Sequence, residues 1–447
     1  MIYKPSKFNY SLLDNGELII VNLKRGLSTF TIVTEDDIAF TTKYLVSDRI
    51  YINRPTDKEL TFINNGFLIP VDVDEDTEVE LLQMDYIYDN RLQLVIHVTK
   101  DCNFRCRYCF IDFEHQRMES LVQNQVIEFI RKNISRYSGV YISWFGGEPL
   151  MGMDIITGMS EKIIDICKKA KKPYVAGITT NGYLLTPENI NKLIADKVYS
   201  YCITLDGLAI SHDNQRVLIN GDPTFDKIVN NLRYIRDKIK FRFLSICVRT
   251  NFTRTILNGI NEFLEFYNSE FGRDPRFSAL FKLASDWGGE RIESIRQELL
   301  EPRAYEKIYN SVLSNSVTVN LNNLGSLYFG GMTCNAVRRN KYTISTNGMI
   351  AKCDTVCDET KIGYIDLKGW HFDRAKEAQW LNAYKIKSDI CNTCSFSCMC
   401  FQGACPKKKL INQKNNSCPE PIYIEHLLRI YRKITEKGSA AYERSHS

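Results

Sequence analysis

The chain has 447 residues, a formal net charge of +5, 44% hydrophobic residues and 25% charged residues. That length holds about two to four domains, and the composition suits a soluble globular protein with an ample core. The mild charge argues against a nucleic-acid partner, and no stretch reaches the roughly 18 apolar residues of a membrane span.

Met1 to Pro5 lacks the apolar run of a signal peptide, so a cytoplasmic protein is expected. Fifteen cysteines in such a chain point to metal or cluster binding rather than a disulfide framework. Three lie at 102–109 and nine between Cys334 and Cys418. Cys167, Cys202 and Cys247 sit in apolar or helical settings and read as buried small hydrophobes. The six histidines show no metal-ligand spacing, and the basic runs Lys168–Lys172 and Lys407–Lys409 read as solvated faces.

Residues 1–85 read as a module of their own. Gly16–Leu23 and Ser28–Val33 are expected strands joined by a turn at Lys24-Arg25-Gly26. Thr34 caps an expected helix through Leu45, and a second runs from Asp57 to Asn65, where Gly66 ends it. Phe67–Val71 is a short final strand, giving a winged-helix-like pattern. Asp36, Asp37, Asp72, Asp74, Glu75 and Asp76 would repel phosphate. An exposed strand edge can instead receive a peptide by β-addition; a packing extension is the alternative. The module resembles the peptide-recognition domain at the front of many enzymes that modify ribosomally made peptides.

After a helical linker at 80–91, Leu92–Val98 reads as a strand, followed by Cys102-x3-Cys106-x2-Cys109. Three thiolates on one loop hold three irons of a 4Fe–4S cube and leave the fourth iron open to a small molecule. A zinc site is the alternative, although structural zinc takes four protein ligands. The motif, with Tyr108 before its last cysteine, resembles the signature of the radical S-adenosylmethionine (SAM) enzymes. That resemblance implies SAM chelated at the open iron by its amino and carboxylate groups, with Tyr108 near the adenine. Cys102, Cys106 and Cys109 would then be the catalytic cluster ligands.

From residue 86 to 320 short apolar runs alternate with amphipathic helices. Strands are expected at Gly139–Phe145, Tyr174–Thr180, Ser200–Asp206, Phe241–Arg249 and Phe277–Leu283. Helices are expected at Leu121–Ile134, Ile155–Lys169, Pro187–Ala195 and Phe225–Lys238. Repeated βα units imply a parallel sheet, and six of them resemble the partial (β/α)6 barrel of radical SAM enzymes, an α/β fold. Chemistry in such barrels sits at the C-terminal strand ends. There the sequence places Gly146-Gly147-Glu148-Pro149, Thr179-Thr180-Asn181, Thr204 with Asp206, and Arg249. Glycines admit close backbone approach, and Glu148 suits an ammonium group. The resemblance assigns the Gly146–Pro149 segment to the SAM amino group. Hydroxyl and amide at 179–181 suit ribose or carboxylate, and Arg249 suits the SAM carboxylate. Arg216 resembles a family position near substrate; without that likeness it reads as a surface arginine.

In the region 321–425, Cys334 is followed by Gly348 and Cys353, then by Cys391-x2-Cys394-x5-Cys400-x4-Cys405, and last by Cys418. This order resembles the SPASM domain, with one residue more than usual between Cys400 and Cys405. The resemblance implies two auxiliary 4Fe–4S clusters. Cys334, Cys353 and Cys405 would hold one; Cys391, Cys394, Cys400 and Cys418 would hold the other. Cys357 or Cys398 could complete the first cluster or, for Cys398, replace Cys400. Residues 426–447 are a helical tail.

Together the motifs resemble ribosomal-peptide (RiPP) maturases of the streptide type, which join a lysine to a tryptophan. The implied partners are a precursor peptide with leader and core, and an external one-electron donor such as flavodoxin or ferredoxin. Thioether-forming maturases and anaerobic sulfatase-maturating enzymes are the alternatives within the family. From another class, a non-enzymatic iron–sulfur or zinc redox protein remains.

Overall fold

A computed structural model describes residues 1–287, 290–314, 321–328, 330–356, 358–386, 389–400, 405–411 and 421–446. Contacts divide the chain into two units: Met1–Tyr88 with Leu324–Arg338 and Leu381–Ser447, and Asp89–Asn323 with Arg339–Trp380.

In the first unit, β1 (Ile2–Pro5), β2 (Asn9–Asp14), β3 (Glu17–Asn22) and β4 (Thr31–Val33) precede α1 (Glu35–Val46). Then come β5 (Ile50–Tyr51), α2 (Asp57–Asn64), β6 (Leu68–Pro70) and α3 (Glu75–Ile87). The strands form two antiparallel sheets, ordered β2-β3-β4 and β5-β1-β6. Ile20, Val33, Tyr44, Phe62, Phe67 and Leu68 pack into one apolar cluster. A capping box between Thr56 and Glu59 starts α2. The expected strand at 28–33 begins only at Thr31. Thr29 donates its hydroxyl to the Gly26 carbonyl at 2.8 Å, which holds 27–29 in a turn. The helix Pro421–His446 belongs to this unit; its Arg432 donates to the Asp14 carbonyl at 2.9 Å and its Arg429 to the Asp14 carboxylate at 2.9 Å.

The second unit is a ten-stranded sheet. β7 (Arg91–Thr99), β8 (Gly139–Gly146), β9 (Tyr174–Thr180), β10 (Val198–Thr204), β11 (Ser245–Phe252) and β12 (Phe277–Leu283) run parallel in sequence order. Helices α4 (Ser120–Asn133), α5 (Met153–Lys169), α6 (Pro187–Ala195), α7 (Ala209–Gln215) and α8 (Phe225–Lys238) fall between them. The side chains of Ile142, Trp144, Ile178, Tyr201, Ile203, Ile246 and Val248 are all but fully buried on the helix-covered face. This is the expected partial barrel-like sheet of an α/β fold.

Two findings depart from the sequence expectations. The strand expected at 241–249 spans Ser245–Phe252, because α8 ends at Lys238 and residues 242–243 form a turn that exposes Phe243. The segment 321–425 is divided. Its β13 (Lys341–Ile344) pairs in parallel with β7, and β14 (Met349–Ala351), β15 (Lys361–Asp366) and β16 (Gly369–Phe372) extend the same sheet. Residues 324–338 and 381–447 belong to the first unit. No helix among the described residues is long and apolar enough to cross a membrane.

Candidate functional site

The cysteine loop leaves the C-terminal end of β7 and is pinned by its backbone. Arg105 N donates to the Val217 carbonyl at 2.9 Å, Arg107 N to that of Gln215 at 3.0 Å, and Lys100 N to that of Gln116 at 2.8 Å. Cys102 and Cys106 are buried, Cys109 is half-buried, and none is in a disulfide. Burial pushes all three thiols up, Cys106 to about 11, and the charges of Cys106 and Cys109 add to the shift at Cys102. Three crowded thiols of this kind ionise together only beside a cation, so the donor set fits an iron–sulfur cube held from one loop. Among the described residues no group of three or more His, Cys, Asp or Glu side chains is arranged to hold a single metal ion.

The Gly146–Pro149 segment folds back onto the entrance to this loop. Gly147 N donates to the Thr99 carbonyl at 2.7 Å and Glu148 N to that of Asp101 at 2.9 Å. A Cβ on Gly147 would lie 2.1 Å from the Asp101 carbonyl oxygen, so only glycine fits. Glu148 is fully buried. Its carboxylate accepts from Leu150 N at 3.0 Å, the Thr180 hydroxyl at 2.7 Å and Asn181 N at 2.8 Å. Burial pushes its pKa up against these donors. Glu148 therefore ties the end of β8 to the end of β9, beyond its expected role toward an ammonium. Pro149 opens a short helical turn. Asn181 reaches the cysteine loop itself, donating to Asn103 Oδ1 at 2.8 Å. Thr179 is half-buried and stands beside Cys202 in register.

The third part of the site joins the loop to β10 and β11. The Tyr108 hydroxyl donates to Asp206 and accepts from Arg216 Nη1 at 2.6 Å and Asn251 Nδ2 at 3.2 Å. Asp206, fully buried, also accepts from Asn251 N at 2.7 Å. Arg249 is half-buried and donates to Asn251 Oδ1 at 2.8 Å; Thr204 lies beside it in register. Burial pushes the Asp206 carboxyl up, opposed by Arg216. Burial also opposes the Arg216 charge, but Cys106, Tyr108 and Asp206 hold the guanidinium firmly protonated.

Arg216 corrects the surface-arginine reading. It is 6% exposed, lies 3.8 Å from Asp206 and faces the Phe104 and Tyr108 rings. Asn251 carried no role in the sequence reading, yet it links three of the residues. The available signal was its position one turn of the strand alternation beyond Arg249 at a strand end.

Of the C-terminal cysteines, Cys334, Cys391, Cys394, Cys400 and Cys405 belong to the first unit and Cys353 to the second. Cys418 and Cys357 lie outside the described residues. Within the first unit, Gly330 N and Met332 N donate to the carbonyls of Cys398 and Met399 at 3.1 and 3.0 Å, which fastens the segment leading to Cys334 onto the short helix Ser397–Cys400. Cys398 is fully buried; burial raises its thiol, with Cys400 and Cys394 adding to the shift.

Residues 96–262 match the model of the Radical SAM superfamily. The chain is 24% identical over 373 residues to a cysteine-type anaerobic sulfatase-maturating enzyme of Clostridium novyi (strain NT), covering 77% of this chain and 95% of that protein. It is 26% identical over 200 residues to the radical SAM cyclopropyl synthase TigE of Paramaledivibacter caminithermalis, covering 40% of each. Among solved structures, anSMEcpe with bound AdoMet and Cp18Cys peptide superposes with a TM-score of 0.58 at 18% identity, over 79% of this chain and 99% of that one. Streptococcus suis SuiB bound to S-adenosylmethionine gives 0.51 at 16% identity, over 94% and 99%. These structures share the fold.

Proposed function

We propose that this chain, which carries a radical SAM domain, modifies a ribosomally synthesised precursor peptide by installing a carbon–carbon crosslink of the lysine–tryptophan type. The observation that carries the reading is the attachment of one three-cysteine loop to four strand ends, through Gly147 and Glu148 after β8, Asn181 after β9, Asp206 after β10 and Asn251 near the end of β11. Cys102, Cys106 and Cys109 are the residues to hold the first 4Fe–4S cluster. When bound and reduced by a donor such as flavodoxin or ferredoxin, that cluster and SAM supply a 5′-deoxyadenosyl radical able to take hydrogen from an unactivated carbon. The chain's part is to bind and orient. Gly146, Gly147 and Pro149 shape the approach to the loop, and Glu148 braces it. Thr179, Thr180, Asn181, Thr204 and Arg249 offer hydroxyl, amide and guanidinium groups to SAM, and Tyr108 sets the loop's position against Asp206.

Removing two hydrogens from a peptide, one as an atom and one as a proton, leaves one electron to be passed on. Cys334, Cys353 and Cys405 would hold one auxiliary cluster and Cys391, Cys394, Cys400 and Cys418 another, which would supply an acceptor for that electron. Residues 1–85 would bind the leader, 86–320 the cofactors and core, 321–425 the auxiliary clusters, and 426–447 would form the tail. The length over which the chain matches a sulfatase-maturating enzyme supports a second reading, oxidation of a substrate cysteine.

The test is incubation of the reconstituted chain, under reducing anaerobic conditions, with peptides encoded by short neighbouring reading frames. A product lacking two hydrogens, with every cysteine still alkylatable and a Lys–Trp link in its fragments, is expected. A consumed thiol without an aldehyde would replace the reading with thioether formation. A hydrazine-reactive aldehyde would replace it with cysteine oxidation.

A further inference from the structure

Residues on the parallel strands alternate between the helix-covered face and an inner face free of helices. Four of the inner residues form one row across β9 to β12. The register sets Thr179 beside Cys202, Cys202 beside Cys247, and Cys247 beside Ser278. Cys202 and Cys247 are half-buried and stand side by side on neighbouring strands, with Ser278 next in the row. They are therefore not the inert buried hydrophobes expected from the sequence. Cys167 is: it lies on α5, 1% exposed, with burial pushing its thiol to about 11.

We propose that Cys202 and Cys247 form a thiol–disulfide exchange site on the inner face of the barrel, reacting with small disulfide molecules. Neighbouring strands stand about 4.7–4.9 Å apart, within the roughly 4.4–6.8 Å between Cα atoms that a disulfide spans. Both side chains leave the same face of the sheet, at paired positions of the register. Cys202 is the attacking thiol. The neighbouring Cys247 holds it below the usual thiol range despite burial, and Arg249 adds to the lowering; Cys202 in turn pushes Cys247 up.

The exchange balances without metal or cofactor. Cys202 thiolate attacks one sulfur of RSSR, forming a mixed disulfide and releasing RS⁻. Cys247, losing its proton, attacks Cys202 Sγ and expels the second RS⁻. Two protein thiols and one RSSR become one protein disulfide and two RSH. The bridge has to draw the two Cβ atoms to about 3.5–4.5 Å, closer than the strands' own spacing, and strained disulfides are the easily reduced ones. The modification would thus be reversible. It would clamp β10 to β11 one inner position below Thr204 and Arg249, the pair leading to Asp206 and Asn251.

The test uses the full chain with its clusters assembled, held anaerobically in a graded glutathione disulfide buffer. It is quenched with an alkylating agent and digested with trypsin. The peptides Val198–Arg216 and Phe243–Arg249 each contain one cysteine. They are expected joined by a disulfide, while Cys167 remains alkylated. In Cys247→Ser and in Cys202→Ser, the remaining cysteine should carry a glutathione adduct, and the joined peptide should be lost. Recovery of both peptides singly alkylated, at a potential where Cys167 reacts to the same extent, would overturn the proposal. So would the absence of a glutathione adduct from both single variants.

Discussion

The hydroxyl of Tyr108 donates to the carboxylate of Asp206, so a residue of the cysteine loop is fastened to the end of the fourth parallel strand. Arg216 and Asn251 donate to the same hydroxyl, at 2.6 and 3.2 Å. Tyr108→Phe removes one acceptor from a buried guanidinium and one donor from a buried carboxylate. Stability should fall by about 1–3 kcal/mol, the cost of leaving such groups short of a partner. Urea unfolding of the full chain measures it; a midpoint equal to the native one would mean that water replaces the hydroxyl at no cost.

Gly147→Ala tests the close approach of β8 to the loop. The added Cβ meets backbone, the Asp101 carbonyl oxygen at 2.1 Å, and not a side chain that can swing away. The loop has to shift, and the first cluster should be lost with it. Iron per reconstituted chain is expected to drop by about four while the circular-dichroism spectrum stays unchanged. Full iron content would show that the loop tolerates the shift.

Glu148→Gln places an amide opposite three donors, Leu150 N, Asn181 N and the Thr180 hydroxyl. One of them must face an NH2 group. The brace between β8 and β9 weakens, and SAM affinity should fall about tenfold or more, equal to about 1.4 kcal/mol. Equilibrium binding of SAM to the cluster-loaded variant reads this, and unchanged affinity would confine Glu148 to a structural role.

His212 gives a pH dependence. Its ring is buried, Nδ1 accepts from Asp206 N at 3.1 Å, and Nε2 lies 3.1 Å from the Thr224 hydroxyl. Burial, with Arg216 nearby, holds its pKa well below 6.5. The unfolded chain therefore takes up a proton below pH 6.5 that the folded chain does not, and the stability tied to neutral His212 is lost as pH falls from there. The slope is at most about 1.4 kcal/mol per pH unit. His212→Asn should flatten the fall in stability between pH 7 and 5; an unaltered slope would assign the acid sensitivity elsewhere.

The barrel strands were legible because their runs of Val, Ile and Leu are long enough to stand alone, and α6 and α8 begin and end where their sequence patterns do. β1 and β2 were not, because Ile2–Pro5 and Asn9–Asp14 are short and become strands only through their partners. β13 and β14 were hidden by their shortness, four and three residues between lysines that the pattern alone leaves unplaced. Lys341 and Lys352 are both buried, each Nζ donating to the other's carbonyl at 2.6 and 2.8 Å. In the site, Glu148 and Asp206 could be found from their places at strand ends. Arg216 could not, since its burial depends on Tyr108, Phe104 and Asp206 arriving from two other segments.

The most direct measurement is reductive cleavage of SAM. The full chain, with clusters reconstituted anaerobically and reduced by dithionite, should release 5′-deoxyadenosine and methionine in equal amounts. The variant with Cys102, Cys106 and Cys109 all replaced by Ala should release neither. A native chain that holds its full iron yet yields no more 5′-deoxyadenosine than this variant would contradict the account.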